Sequence, residues 1–259
     1  MPVTRDTSRR RQVISALVRE EGSVQVAPLA KRFGVTMQTI RKDLQFLADR
    51  GIAERSYGGA IASDAVNLTR ELPAEDKRAI NAAEKQRIGA LAATLVRPGE
   101  SIILDSGTTT QEIARNLPDD ESITVLTNDL DIMTILAARQ HITAVMLGGA
   151  LLRRNRSLYG AQAVAAFDDL HVDKLFLGVD GMDVERGITT HFEPEAILNR
   201  KMVAAASTVI AVTDQTKFGR VCLHRIVQLD EIHALVTDGA VPEDIELAAQ
   251  RARIAIHNS

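Results

Sequence analysis

Apolar positions recur at helical spacing from the start of the chain. Between Arg9 and Glu20, Val13, Ile14, Leu17 and Val18 share one face and Gly22 ends the pattern, so the spacing predicts an amphipathic helix. A brief extended piece, residues 23–26, follows. Pro28 stands where the next helix begins, with Leu29, Ala30 and Phe33 as its buried side and Gly34 as its stop. Thr36 caps a third helix with Ile40, Leu44 and Leu47 inward and Gly51 at its end, which leaves Gln38, Thr39, Arg41, Lys42 and Gln45 on the other face. Residues 52–60 then alternate and turn like a hairpin carrying Arg55 and Tyr57. A short helix, a tight turn and a capped helix with Arg, Lys and Gln outward form the helix-turn-helix arrangement, here with a wing. A solvated charged face is the bland alternative for any one of these helices, and it weakens when all the parts occur in order.

After a mixed, aperiodic stretch that contains Pro73, read as a linker with one turn of helix at most, the pattern changes. Helical spacing over 83–95, 109–117, 129–138, 160–170, 194–206 and 242–251 alternates with apolar, β-rich runs at 101–105, 123–127, 143–147, 174–179, 208–213 and 233–237. Such alternation predicts an α/β unit with a mostly parallel sheet covered on both faces. The domains expected are a winged helix-turn-helix over 1–60, a linker over 61–75 and a sensor over 76–259.

In a parallel sheet, ligands bind beyond the carboxyl ends of the strands. The residues that follow each strand are therefore the informative ones. After the run Ile102-Ile103-Leu104 come Asp105, Ser106, Gly107, Thr108, Thr109 and Thr110, a glycine-containing turn with four hydroxyls in five residues that opens a helix. Successive N–H groups at a helix N-terminus make a phosphate cradle. Thr108 follows Gly107 where a Walker loop needs Lys, so the loop is no nucleotide P-loop. A helix cap with no ligand is the other reading. Asn128, Gly148, Gly149 and Asp180 follow later strands, and Lys217 is placed to neutralise a phosphate as a point charge. His191 and Glu193 lie in a polar segment that either closes over the pocket or forms an ordinary helix start. Arg153, Arg154 and Arg156 form a basic cluster that reads as a solvated loop or a subunit contact, with reach to an anionic ligand as the alternative.

Charge sharpens this division. Residues 1–60 hold 11 Lys/Arg against 6 Asp/Glu, while the whole chain is at −3, so a basic N-terminal part sits on an acidic body. One cysteine, Cys222, excludes a disulfide framework, and the apolar runs are too short to span a bilayer, so a soluble cytoplasmic protein is expected. The histidines lack metal-ligand spacing, and neither a metal nor a cofactor is expected.

Arg10, Ile14, Val18, the stretch from Thr36 to Leu44 and the wing Tyr57-Gly58-Gly59-Ala60 resemble the N-terminal signature of the DeoR family of bacterial transcriptional repressors. The likeness continues through Asp105-Ser106-Gly107-Thr108-Thr109, Thr127-Asn128, Gly148-Gly149, residues 176–181 and residues 213–219, and so covers nearly the whole chain. Residues 22–26, 157–160 and 190–196 look most like the branch that controls N-acetylgalactosamine and galactosamine use. The resemblance implies operator DNA and a phosphorylated sugar as partners. The candidate DNA contacts are Thr36, Gln38, Thr39, Arg41, Lys42, Gln45, Arg55 and Tyr57. The candidate effectors are N-acetylgalactosamine 6-phosphate, galactosamine 6-phosphate and tagatose 6-phosphate, and a homo-oligomer, dimer or tetramer, is expected on repeated half-sites.

The family's sensor is similar in fold to sugar-phosphate isomerases, so an enzyme is the rival reading. Where such an isomerase carries a Lys-Gly-Gly-Gly stretch, this chain has residues 188–193, Ile-Thr-Thr-His-Phe-Glu. That departure favours binding without turnover, with Glu193 and Glu195 as the carboxylates that keep the question open. A pure interaction module leaves the converging pocket residues unexplained.

Overall fold

The computed structural model describes residues 7–21, 23–49, 53–56, 59–62, 73–119 and 122–259, and the chain forms two compact units, Met1–Glu71 and Leu72–Ser259. In the first, α1 (Thr7–Glu21), α2 (Val26–Phe33) and α3 (Met37–Asp49) close around Ile14, Val18, Leu29, Phe33, Ile40, Leu44 and Leu47, the residues whose spacing places them inward. Gly34 ends α2 in the left-handed conformation at φ 63°, which a residue without a Cβ adopts at little cost. Thr36 Oγ1 then accepts the Thr39 N–H at 3.2 Å and caps α3. β1 (Ser23–Gln25), β2 (Ala53–Ser56) and β3 (Gly59–Ala62) make an antiparallel sheet in the order β1-β3-β2, so the hairpin after α3 is a wing joined to the short strand between α1 and α2. Gly22, Gly51, Tyr57 and Gly58 lie outside the described residues, as does the side chain of Arg55.

The second unit begins with α4 (Ala74–Ala79) and α5 (Ala82–Ala93). α4 lies where the sequence reads as linker. Ala74 is buried and donates its N–H to Arg154 O at 3.0 Å. The helix is held by polar contacts, so it lacks the apolar spacing on which sequence reading depends. Next come β4 (Ser101–Leu104), α6 (Thr108–Asn116), β5 (Ile123–Thr127), α7 (Leu130–Leu136) and β6 (Ile142–Met146). A hairpin of β7 (Ala150–Leu152) and β8 (Ser157–Tyr159) leads into α8 (Ala161–Ala165) and β9 (Val172–Gly178). β10 (Gly181–Asp183), β11 (Gly187–Thr190), α9 (Glu193–Ala205), β12 (Ala206–Val212), β13 (His224–Val227), β14 (Ala234–Thr237), α10 (Glu243–Ala252) and β15 (Ala255–Asn258) complete it.

Seven strands form one parallel sheet in the order β15-β14-β12-β9-β4-β5-β6. Successive residues of a strand face opposite ways, so each strand feeds two cores. Ile102, Leu104, Val125, Phe176 and Ile210 pack with α5, α6 and α7, while Ile103, Leu126, Leu175, Leu177 and Val209 pack with α8, α9 and α10. Gly89 brings α5 and α6 together backbone to backbone, since a Cβ there would lie 2.4 Å from Glu112 Cβ. β10, β11 and β13 form a small antiparallel sheet.

The chain winds from β4 through β5 to β6 on one side, then resumes at β9 on the other side of β4. The crevice therefore opens between the carboxyl ends of β4 and β9, which places residues 105–110 opposite residues 178–181.

Candidate functional site

Gly107 precedes the first turn of α6, and the first helical hydrogen bond runs from Gln111 N–H to Gly107 O at 3.0 Å. Two N–H groups and one hydroxyl of the loop are engaged by the protein itself. Ser106 N–H donates to Asp105 Oδ1 at 2.7 Å and Gly107 N–H to Asp129 Oδ2 at 3.2 Å. The Thr110 hydroxyl donates to Gly107 O at 2.8 Å. The N–H groups of Thr108, Thr109 and Thr110 have no acceptor among the described residues, so the cradle read over Ser106 to Thr110 narrows to these three, with the helix potential behind them.

The two carboxylates that fix the loop are buried. Asp129 also accepts from Asp131 N–H at 2.7 Å, Ile132 N–H at 3.0 Å and Gln111 Nε2 at 3.1 Å, so it caps α7 and holds α6 beside it. Burial raises its carboxyl against these hydrogen bonds. Asp105 accepts further from Gly178 N–H at 3.3 Å and from the Asn199 side-chain amide at 3.2 Å. Burial pushes its carboxyl up to about 7, opposed by the N–H groups of Ser106 and Gly178 and reinforced by Asp180 and Asp129. Asp105 is thereby occupied in holding β4, β9 and α9 together, and a Cβ on Gly178 would lie 3.4 Å from its Oδ2.

Opposite the loop lies a group of lysines and carboxylates. Asp180, just after β9, accepts from Lys77 Nζ at 3.1 Å through Oδ1 and from the Thr190 hydroxyl at 3.0 Å through Oδ2. Burial opposes its charge, but Lys77, Lys217 and His191 hold the carboxyl well below the usual carboxylate range. Lys217 stands in a short 3-10 turn, residues 215–217, that Asp214 caps by accepting the Thr216 N–H at 3.0 Å. Burial lowers its ammonium, offset by Asp180. Lys85 on α5 donates to Lys77 O at 2.5 Å and Ile80 O at 2.7 Å. Burial brings it down to about 8, against the pull of Asp214 and with the repulsion of Lys217 and Lys77. Asn81, left-handed at φ 52°, donates to Asp214 Oδ1 at 3.0 Å. Three ammonium groups thus share one corner with two carboxylates, a field suited to a phosphate.

The other residues selected from sequence take varied places. Asn128 is buried, with Nδ2 donating to Leu158 O at 3.0 Å, and its Oδ1 is without a partner among the described residues. Gly149 serves the β7-β8 hairpin, since a Cβ there would lie 2.4 Å from Tyr159 O; Gly148 precedes it near Gln162. His191 Nε2 lies 3.4 Å from Cys222 Sγ. Glu193 is exposed in the first turn of α9, whereas Glu195 is buried and accepts from Asn155 Nδ2 at 2.9 Å. Arg156 Nε binds Asp131 Oδ1 at 2.9 Å.

Sequence reading missed Lys77, Asn81 and Lys85. The available signal was the charged run Glu75-Asp76-Lys77-Arg78 that follows Pro73-Ala74, a helix start with acids first and bases last. Among the described residues there is no His/Cys/Asp/Glu group arranged to hold a metal ion, and no helix is long and apolar enough to cross a membrane.

In the first unit, Gln38, Arg41, Lys42 and Gln45 are exposed along α3, Thr36 is exposed at its cap and Thr39 is half-buried. Asp43 points the other way. Its carboxylate is buried against Arg10 Nε at 2.6 Å and Arg11 Nε at 2.8 Å, and the Arg11 guanidinium lies 3.8 Å over the Phe46 ring. The outward face of α3 thus carries Arg41 and Lys42 while Asp43, next in sequence, is turned inward, an arrangement suited to a duplex.

Comparison with known proteins agrees with both halves. Residues 10–66 match the DeoR-like helix-turn-helix domain and residues 80–239 the DeoR C terminal sensor domain. A putative aga operon transcriptional repressor from Escherichia coli O157:H7 is 42% identical over 98% of this chain and 94% of its own length. The glycerol-3-phosphate regulon repressor of Escherichia coli K12 is 27% identical over 92% of this chain and 93% of its own. Among solved structures, a ribose 5-phosphate isomerase A from Methanocaldococcus jannaschii is similar at a TM-score of 0.40 and 17% identity, covering 53% of this chain and 55% of that one.

Proposed function

The chain belongs to the DeoR family of helix-turn-helix transcriptional repressors, and from that premise we propose that it represses a sugar-catabolic operon and leaves its operator when a phosphorylated sugar fills the sensor crevice. The observation that carries the effector class is the pairing of Thr108, Thr109 and Thr110 N–H groups with the Lys77, Lys85 and Lys217 corner across the β4/β9 crevice. Charge-assisted hydrogen bonds of both kinds favour a dianion over a neutral sugar. The likeness to an aga operon repressor supports an amino-sugar pathway, with N-acetylgalactosamine 6-phosphate, galactosamine 6-phosphate and tagatose 6-phosphate as candidates. Asp180 and Thr190 stand beside the lysines as acceptor and hydroxyl for the sugar's own polar groups.

Induction follows by linkage: an effector releases DNA only if it binds the DNA-incompetent arrangement more tightly. One winged domain reads a short half-site, so the repressor works as a homo-oligomer in the cytoplasm. The reading is of a binder without turnover. Glu193 is exposed, and Glu195 is engaged by Asn155, so neither is poised as a free base over the crevice.

A thermal-shift screen against the three phosphates and their unphosphorylated parents, paired with operator mobility shifts, tests this. The expected result is stabilisation by a phosphate ester, operator release by the same compound, and its recovery unchanged. Equal binding of the parent sugar would reduce the loop to a helix cap, and turnover that disappears in Glu195→Gln would make the protein an isomerase.

A further inference from the structure

α4 is the first described element after the DNA-binding unit, and it is fastened to the ends of the sensor strands. Lys77 pairs with Asp180 beyond β9, Arg78 binds Asp131 and Gln111 beside the anion loop, and Asn81 binds Asp214 beyond β12. Lys85 then fixes the turn that follows by donating to the carbonyls of Lys77 and Ile80. Among these contacts, the Lys77 pair lies in the crevice itself, since Asp180 is within electrostatic reach of Lys217 and His191 as well.

We propose that the Lys77–Asp180 pair is the latch through which the effector acts: closed, it holds α4 in the arrangement that favours operator binding, and a phosphate entering beside Lys217 draws Lys77 away from Asp180. This rests on the phosphate-sensing reading above and adds the residue that couples it to DNA. The exchange is electrostatically reasonable. Lys77, Lys85 and Lys217 repel one another, and Asp180 offers a single negative charge where a phosphate ester brings two. The pair is partly buried, with Lys77 at 23% and Asp180 at 19% exposure, so it is less screened than a surface pair. It also links the first helix of the sensor to the turn after a central strand, so its opening frees one fastening of the helix that follows the DNA-binding unit in sequence.

The test is a double-mutant cycle on operator affinity, measured in the full-length protein without effector. Lys77→Met keeps the alkyl stem and Asp180→Asn keeps the shape. Each is expected to weaken operator binding by about three- to tenfold, and the double variant no more than either single change, because all three open one latch. The melting temperatures of Lys77→Met and Asp180→Asn, expected within a few degrees of the wild type, separate the latch from a folding defect. Unchanged affinity in both single variants, or losses that multiply in the double variant, would overturn the proposal. Galactosamine 6-phosphate and N-acetylgalactosamine 6-phosphate are then added to the wild type and to Lys77→Met. Operator release is expected to shrink at least threefold in the variant; equal release in both also overturns the latch. Failure of either phosphate to act on the wild type counts against the effector assignment instead, while the ligand-free cycle still decides the latch.

Discussion

Arg10 Nε and Asp43 Oδ2 lie 2.6 Å apart across a buried ion pair that joins α1 to the helix presenting Arg41 and Lys42. The pair sets how that helix stands on the domain core. Removing Asp43 takes away the buried carboxylate that Arg10 and Arg11 share, and breaking comparable buried pairs costs about 3 to 5 kcal/mol. Asp43→Ala is therefore expected to destabilise the DNA-binding unit while the sensor transition is unchanged, as read by urea unfolding of the full chain. An unshifted first transition would show that the pair does not hold α3.

Arg41 and Lys42 are neighbours on the exposed side of α3 but are expected to behave differently. Arg41→Ala should remove sequence preference, because a guanidinium reads guanine edges by paired hydrogen bonds worth about 1 to 3 kcal/mol of discrimination. Lys42→Ala should weaken all DNA alike and lower the slope of affinity against salt by about one. Mobility-shift titrations on operator and scrambled DNA at several salt concentrations distinguish the two, and unchanged preference in the Arg41 variant would remove it from the reading face.

Lys217→Ala is expected to weaken effector binding by about ten- to a hundredfold, since each charged hydrogen bond contributes about 1.5 to 3 kcal/mol. Thr108→Val removes a hydroxyl at the first position of α6 and should do as much. Both variants should keep their operator affinity without effector. Calorimetric titration with the phosphate esters gives the answer; wild-type affinity in both would move the ligand elsewhere.

Asp105 supplies a pH prediction. Its folded carboxyl gives up its proton at about 7, against 3.8 for the ordinary value, so between those points the folded state holds a proton that the unfolded chain has lost. The contribution of Asp105 to folding stability therefore falls as pH rises from about 4 to about 7 and levels off above. Asp105→Asn removes that titration. The stability of the wild type relative to this variant should decline across the same interval in urea melts, and a flat difference would show that the hydrogen bonds from Ser106, Gly178 and Asn199 outweigh burial.

The helix-turn-helix and the parallel sheet were legible because burial imposes a period. Ile40, Leu44 and Leu47, or Ile102 and Leu104, must recur at fixed spacing to reach a core. β15 escaped because it lies at a sheet edge with Ala255, Ile256 and Asn258 exposed, which erases the alternation. α4 escaped for the opposite reason, since charges and a buried Ala74 hold it in place and charges carry no period. The candidate site divided in the same way. The anion loop was visible as a run of small and hydroxyl residues after a strand, yet the engagement of Ser106 and Gly107 by Asp105 and Asp129 depends on partners that only the fold brings close.

The contact of Gly89 with Glu112 acts as a gauge block. Because Gly89 lets α5 approach Glu112 of α6 at backbone distance, that contact sets the spacing between the helix that carries Lys85 and the helix that opens with Thr108. Any side chain introduced at position 89 would therefore wedge the two helices apart and detune the response to every phosphorylated ligand at once.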